Sequence, residues 1–137
     1  MSADLQWMLI RNNSCFLVKS LGMTLTKEPN NIKKLNCFKG NGLVHSKAVS
    51  VEAAADGKGV VLSMKRKQGK NKPVKMIKST TIKRGGRHTV KTIKNTLGKS
   101  RYRSDLMDAA SRRACAIIKS QSTSAVVKKK RSHRKRN

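Results

Sequence analysis

Between Asp56 and Asp105 lie 48 residues, of which 16 are Lys or Arg and none is acidic. No other feature constrains the fold as much. Like charges at this density repel one another, and the segment is expected to need a polyanion to become compact. The imbalance is segmental. Residues 1–56 carry 7 basic and 4 acidic side chains, a net +3; residues 57–137 carry 26 and 2, a net +24; together they make the +27 of the whole chain. Ordinary soluble surfaces mix the two signs. The length of 137 residues suits one compact domain with appendages.

Hydrophobic patterning predicts an α+β architecture: a small antiparallel sheet with an N-terminal helix packed on it, then two basic helices and a basic tail that is disordered when free. Ser2 is a candidate N-cap, and Leu5, Met8 and Leu9 follow on one helical face. Ser14–Lys19 and Met23–Thr26 read as paired strands around Leu21-Gly22. Leu43–Glu52 and Val60–Arg66 read as two more, separated by turn signals from Ala55 to Gly59. Residues 1–67 thus form the globular unit. Residues 68–86 are Lys-rich, contain Pro73 and lack periodicity, which predicts a basic linker or loop.

Residues 87–119 read as a helical segment. Val90, Ile93 and Leu97 recur at helical spacing, with Gly98 as a natural stop. Ser104 is a candidate cap for the next helix, whose first turn holds Asp105 and Asp108 at the positive end of the dipole. Leu106, Ala110, Ala114, Ile117 and Ile118 supply its apolar stripe. Residues 120–137 form the basic tail. Lys128–Asn137 has seven Lys or Arg in ten residues and buries nothing to offset chain entropy.

Catalytic chemistry finds little to work with. His45, His88 and His133 have no acidic neighbours in sequence, and no GxSxG, HExxH or P-loop pattern occurs. Asp105 and Asp108 share a helical face, but a second acidic cluster to complete a two-metal site is missing. Cys15, Cys37 and Cys115 are odd in number, far apart and without a CxxC pair, so free thiols in a reducing compartment are expected rather than zinc or disulfides. No apolar run approaches the roughly 18–20 residues that span a membrane, and no signal-peptide pattern opens the chain. No enzyme activity, metal, cofactor, membrane or small-molecule substrate is expected.

The cations carry the signal. Lys65, Arg66, Lys67, Lys70, Lys72 and Lys75 form one candidate phosphate-binding group. Arg84 and Arg87 flank Gly85-Gly86, where bare backbone can approach a phosphate. Arg101 and Arg103 bracket Tyr102, whose ring can either stack on a base or pack internally. Arg112, Arg113 and the tail residues Lys128, Lys129, Lys130, Arg131, Arg134, Lys135 and Arg136 complete the set, and the tail also has the form of a nuclear import signal. Helix-turn-helix, zinc-finger and RNP-type spacings are absent, so phosphate and shape recognition of a large folded RNA fits best; composition leaves a chromatin compactor open.

The segments MSADLQWMLIRNNSCFLVK, KEPNN, NGLVHSKAVSVEAAADGKGVVLSMKRK and SRYRSDLMDAASRRACAIIKSQ, in this order, closely resemble the L-twenty-eight-e family of eukaryotic large-subunit ribosomal proteins. The resemblance runs nearly end to end, and ADGKGVV and EPNN are its most specific parts. It implies a non-enzymatic structural component of the cytosolic large subunit, bound to ribosomal RNA and to neighbouring ribosomal proteins, with nuclear and nucleolar transit during assembly. A related domain in a nucleolar assembly factor gives the alternative of an assembly role. Ser46, Gly40 and Ser104 depart from the family's usual basic, aromatic and proline residues.

Overall fold

In the computed structural model, which describes residues 2–68 and 72–122, the chain is α+β and contains two antiparallel sheets rather than one. Helix α1 spans Ala3–Ile10, and the Ser2 hydroxyl accepts from Leu5 N at 3.3 Å, as its position predicts. Strands β1 (Leu17–Ser20) and β2 (Met23–Thr26) form a hairpin. Leu21 and Gly22 turn it with φ of 43° and 77°, the positive values a tight hairpin needs. Helix α1 does not lie across a sheet with a buried stripe. It buries no residue fully and reaches the body through Trp7, whose ring centroid is 5.9 Å from that of Phe38 in the 3₁₀ turn Phe38–Gly40.

The main sheet has the order β3-β4-β5, from β3 (Val49–Ala53), β4 (Val60–Lys65) and β5 (Ile77–Ile82). The third strand lies inside the stretch that reads as a loop. It shows no apolar alternation, and only Ile82 is buried. Its order comes from six residues in register with β4, from Val60↔Ile82 to Lys65↔Ile77. The β-branched Thr80, Thr81 and Ile82 are the one local hint of a strand. Between Lys65 and Ile77 the chain makes a basic excursion and returns through the single helical turn α2 (Pro73–Met76); Arg66 N donates to Met76 O at its base.

Helices α3 (Gly86–Lys99) and α4 (Met107–Gln121) pack together, and α4 crosses β3 and β4. The core joins Val49, Val51, Val60, Leu62 and Ile82 of the sheet to Ile93, Leu97, Leu106, Ala110 and Ala114. Ala110 and Ala114 are wholly buried, and their small size lets α4 sit close to the strands. Thr89, not Val90, is the buried first-turn residue of α3, with its hydroxyl donating to the Arg84 and Gly85 carbonyls at 2.9 and 3.2 Å.

Gly98 does not stop α3. The helix runs through it, and the stop is a Schellman arrangement: Arg101 N donates to Gly98 O at 3.1 Å and Tyr102 N to Leu97 O at 3.0 Å, with Arg101 left-handed at φ 45°. Nor does Ser104 cap α4. It opens a 3₁₀ turn, Ser104–Leu106, that makes no side-chain cap hydrogen bond.

The segment 43–48 fails to extend β3 because its backbone is claimed elsewhere. Asn41 Oδ1 accepts from Leu43 N and Val44 N at 2.9 and 2.8 Å. Asn41 in turn belongs to a buried network around Glu28, which is 4 % exposed. Asn31 Nδ2 and Asn41 Nδ2 donate to its two carboxylate oxygens at 2.7 and 2.8 Å, and Gly42 N donates at 3.3 Å. A Cβ on Gly42 would collide with the Pro29 carbonyl and Asn30, so this close approach requires glycine. A second clamp closes the far end: Gln121 accepts from Gly59 N at 2.8 Å and donates to Gly59 O at 2.9 Å. Among the described residues no buried side-chain polar atom lacks a partner.

Glu28→Gln keeps the shape of the network but turns one acceptor into a donor facing donors. We expect a loss of roughly 1–3 kcal/mol, the cost of an unsatisfied buried polar group, read by urea denaturation. An unchanged midpoint would mean that the network does not hold the segment.

Arg101→Gly removes a left-handed non-glycine residue that costs about 1–2 kcal/mol. The same measurement should show a gain of about 1 kcal/mol, and no gain would dismiss the strain.

Candidate nucleic-acid interface

The described candidates divide by what their charges touch. Lys65 and Arg103 are bound within the chain. The Lys65 ammonium donates to the carbonyls of His45 at 3.1 Å and of Gly42 and Leu43 at 3.5 Å, drawing segment 42–45 onto β4. Arg103, left-handed at φ 46°, sends its guanidinium to both Asp105 oxygens at 3.1 and 3.2 Å, to the Lys47 carbonyl at 3.1 Å and to the Lys39 carbonyl. Asp105 therefore serves as an internal counterion to Arg103, and among the described residues no group of three or more His, Cys, Asp or Glu lies close enough to hold a metal.

Tyr102 is also structural in part. Its hydroxyl accepts from Ala48 N at 3.1 Å and donates to the Lys65 carbonyl, and its ring packs against the core. Burial pushes the phenol's pKa above its ordinary 10.0, against the opposing pull of the Ala48 hydrogen bond and the Arg103 charge.

Exposed cations form two groups. Arg66, Lys67, Lys72 and Lys75 lie on the basic excursion between β4 and β5, all exposed. Arg84, Arg87, Arg112 and Arg113 lie on α3, its entry and α4, again exposed. Arg84 reaches His88 Nε2 at 3.2 Å, and Arg112 shares the α3–α4 groove with Lys94 and Asp108. A Cβ at Gly85 or Gly86 would meet nothing within 4 Å, so packing inside the chain does not demand glycine there. Arg101 is exposed at the end of α3. Lys70 and the tail group Lys128, Lys129, Lys130, Arg131, Arg134, Lys135 and Arg136 lie outside the described residues.

Sequence reasoning left out Lys91 and Lys94, which continue the Arg87 face of α3 at helical spacing and are exposed. That spacing was available in the predicted helix. It also left out Lys47 and Lys78, which lie with Arg66 and Lys67 around a single groove that also contains Met64 and Tyr102. Only the strand register brings these together.

Carboxylates do little to neutralise this surface. Glu28 is buried; Asp105 pairs with Arg103, and Asp56 with Lys83, whose hydrogen-bonded ammonium holds the Asp56 carboxyl below its usual pKa. Of the six acids, Asp4, Glu52 and Asp108 remain.

Tyr102 is the sole tyrosine, so tyrosinate absorbance reports its ionisation alone. Because the folded pKa is raised, the contribution to stability is full below the unfolded value near 10 and is lost as pH rises through the folded value. The titration midpoint of the folded chain should lie above 10.0 and fall back to it in denaturant. Identical midpoints in the two states would show that the phenol is not buried as described.

Residues 5–120 match the model of the Ribosomal L28e protein family. The chain is 37 % identical over 131 residues to "Large ribosomal subunit protein eL28" of Caenorhabditis elegans, covering 94 % of this chain and 98 % of that protein. It is 35 % identical over 124 residues to the protein of the same name in Schizosaccharomyces pombe, covering 88 % and 92 %. In Trypanosoma cruzi the match is 34 % over 134 residues, covering 98 % and 86 %. A family match over this span, with relatives aligned along nearly their whole length, establishes that the chain belongs to the ribosomal L28e protein family.

Proposed function

We propose that the chain is a structural constituent of the large ribosomal subunit that binds ribosomal RNA through phosphate and shape contacts and supports translation without catalysis. The observation that carries this reading is the surface charge. With 33 basic residues against 6 acidic ones, and half of those acids buried or paired, the exposed cations on the β4–β5 excursion and on α3 and α4 far outnumber the carboxylates left to neutralise them. Phosphates of a folded RNA supply the missing charge. The relatives' names give the assembly in which such an RNA is found.

Neighbouring ribosomal proteins are the second class of partner. Leu5, Met8 and Leu9 of α1 and Leu21 at the β1–β2 turn are exposed large apolar residues that suit protein contacts. The working location is the cytosolic ribosome, with nuclear and nucleolar transit during assembly. The seven tail cations between Lys128 and Arg136 supply a basic cluster of the import type.

Crosslinking of the full chain in cells, followed by RNA sequencing and gradient sedimentation, tests the proposal. The expected result is crosslinks to large-subunit ribosomal RNA and cosedimentation with mature large subunits through moderate salt. Recovery on nucleolar precursors alone would replace it with an assembly role, and retention on chromatin with DNA compaction. Free protein should bind RNA with steep salt dependence, since roughly ten phosphate contacts lose about three to five decades of affinity between about 50 and 200 mM salt.

A further inference from the structure

We propose that the open end of the sheet–helix interface is a receptor for one unstacked nucleobase of an RNA strand, with the flanking phosphates held by Lys47, Arg66, Lys67 and Lys78. The inference rests on the RNA-binding reading above and gives the chemistry of one place within it.

The register builds this place. On the core face of the sheet, Val51 lies opposite Leu62 and Val49 opposite Met64. Across β4 the same face continues from Ile82, opposite Val60, through Thr80, opposite Leu62, to Lys78, opposite Met64. Residues two apart share a face. Lys78 therefore occupies a core-facing register position, where an ordinary two-layer fold places an apolar side chain. The helical layer covers Val49 but leaves Met64 only partly buried and Lys78 exposed. Helix α3 is capped at Ser100, and the chain turns away at the left-handed Arg101. Tyr102 comes back toward the sheet and is fastened by its hydroxyl to Ala48 and Lys65.

The resulting groove has a volume of about 490 Å³ and a mainly apolar lining that includes Met64 and Tyr102, with the four cations around it. That volume falls within the roughly 300–1,000 Å³ typical of ligand-sized clefts. No acid is among the lining residues, which disfavours a cationic ligand. An apolar ligand alone leaves the cations without a role. A base within a phosphodiester chain satisfies both: its π-face meets Met64 and the pre-ordered Tyr102 ring, and its neighbouring phosphates meet the ammonium and guanidinium groups. Lys47 Nζ stands 5.8 Å from the Tyr102 ring centroid, at the outer limit of a cation–π contact, so a base displaces little by entering.

Two RNA stem-loops that differ in one bulged nucleotide, base-bearing in one and abasic in the other, separate base capture from phosphate binding. Each is titrated against the full-length chain, and ultraviolet crosslinks to the base-bearing form are mapped by mass spectrometry. We expect about tenfold tighter binding of the base-bearing form, with crosslinks at Met64 or Tyr102. Ser100→Trp places a ring into the groove from an exposed position and should abolish the preference while leaving affinity for the abasic form unchanged. Equal affinity for both forms, with crosslinks only on α3, α4 or the tail, overturns the base receptor and leaves RNA binding standing. Failure to bind either stem-loop, or large-subunit ribosomal RNA, overturns both. Tighter capture of an aromatic, acidic peptide than of the base-bearing RNA assigns the groove to a protein neighbour and also overturns the proposal.

Discussion

The fold depends on a contest between short-range burial and long-range repulsion, decided on the central strand β4. This strand is paired along both edges and carries Val60 and Leu62, which are essentially inaccessible to solvent, against Ile93, Leu97, Ala110 and Ala114. Full burial of each large aliphatic side chain contributes about 1.5–3 kcal/mol. Two exposed charges at 4 Å interact by only about 1 kcal/mol in water, and salt screens them beyond roughly 8–10 Å. Burial therefore wins wherever the cations are kept outside the core. They are placed accordingly, on the β4–β5 excursion, on the exposed faces of α3 and α4, and at the rim of the open groove.

The segments that carry the family resemblance supply several devices of folding. EPNN supplies the buried Glu28 and Asn31, and the GNG turn that follows supplies Asn41 and Gly42, which close the same network. ADGKGVV supplies Gly59, held by Gln121 and too tightly apposed to Ile82 and Lys83 for any side chain. SRYRSD supplies the Tyr102 and Arg103 contacts that tie the end of α3 to Lys47 and Ala48 just before β3, to Lys65 of β4 and to the 3₁₀ turn. Gly40 is buried against Cys37 and Asn31.

Much of the secondary structure was legible in the residues: the Ser2 cap, the span of β2, the start of β4, and the Leu106–Ala110–Ala114 stripe all follow from local rules. What was not legible depends on partners far along the chain. Strand β5 is polar on most positions and exists because β4 pairs with it. The absence of strand at 43–48 is decided by Asn41 and by a lysine 20 residues away. The same holds for the cations. Lys65 and Arg66 are adjacent and chemically alike, yet one is bound by three carbonyls and the other is exposed. Charge density points toward a polyanionic partner, whereas the division into internal and outward-facing cations is set by contacts far along the chain. The groove containing Met64 and Tyr102 was hidden for the same reason, since its members come from four separate segments.

The basic excursion leaves the sheet at Lys65 and rejoins it at Ile77, two residues that face each other in the ladder. Its ends are thus fixed side by side whatever lies between them. Doubling the span of such an insert raises the closure entropy by only about 0.6 kcal/mol. An insert at this junction can therefore change in length at little cost to the hydrophobic body that holds its two ends.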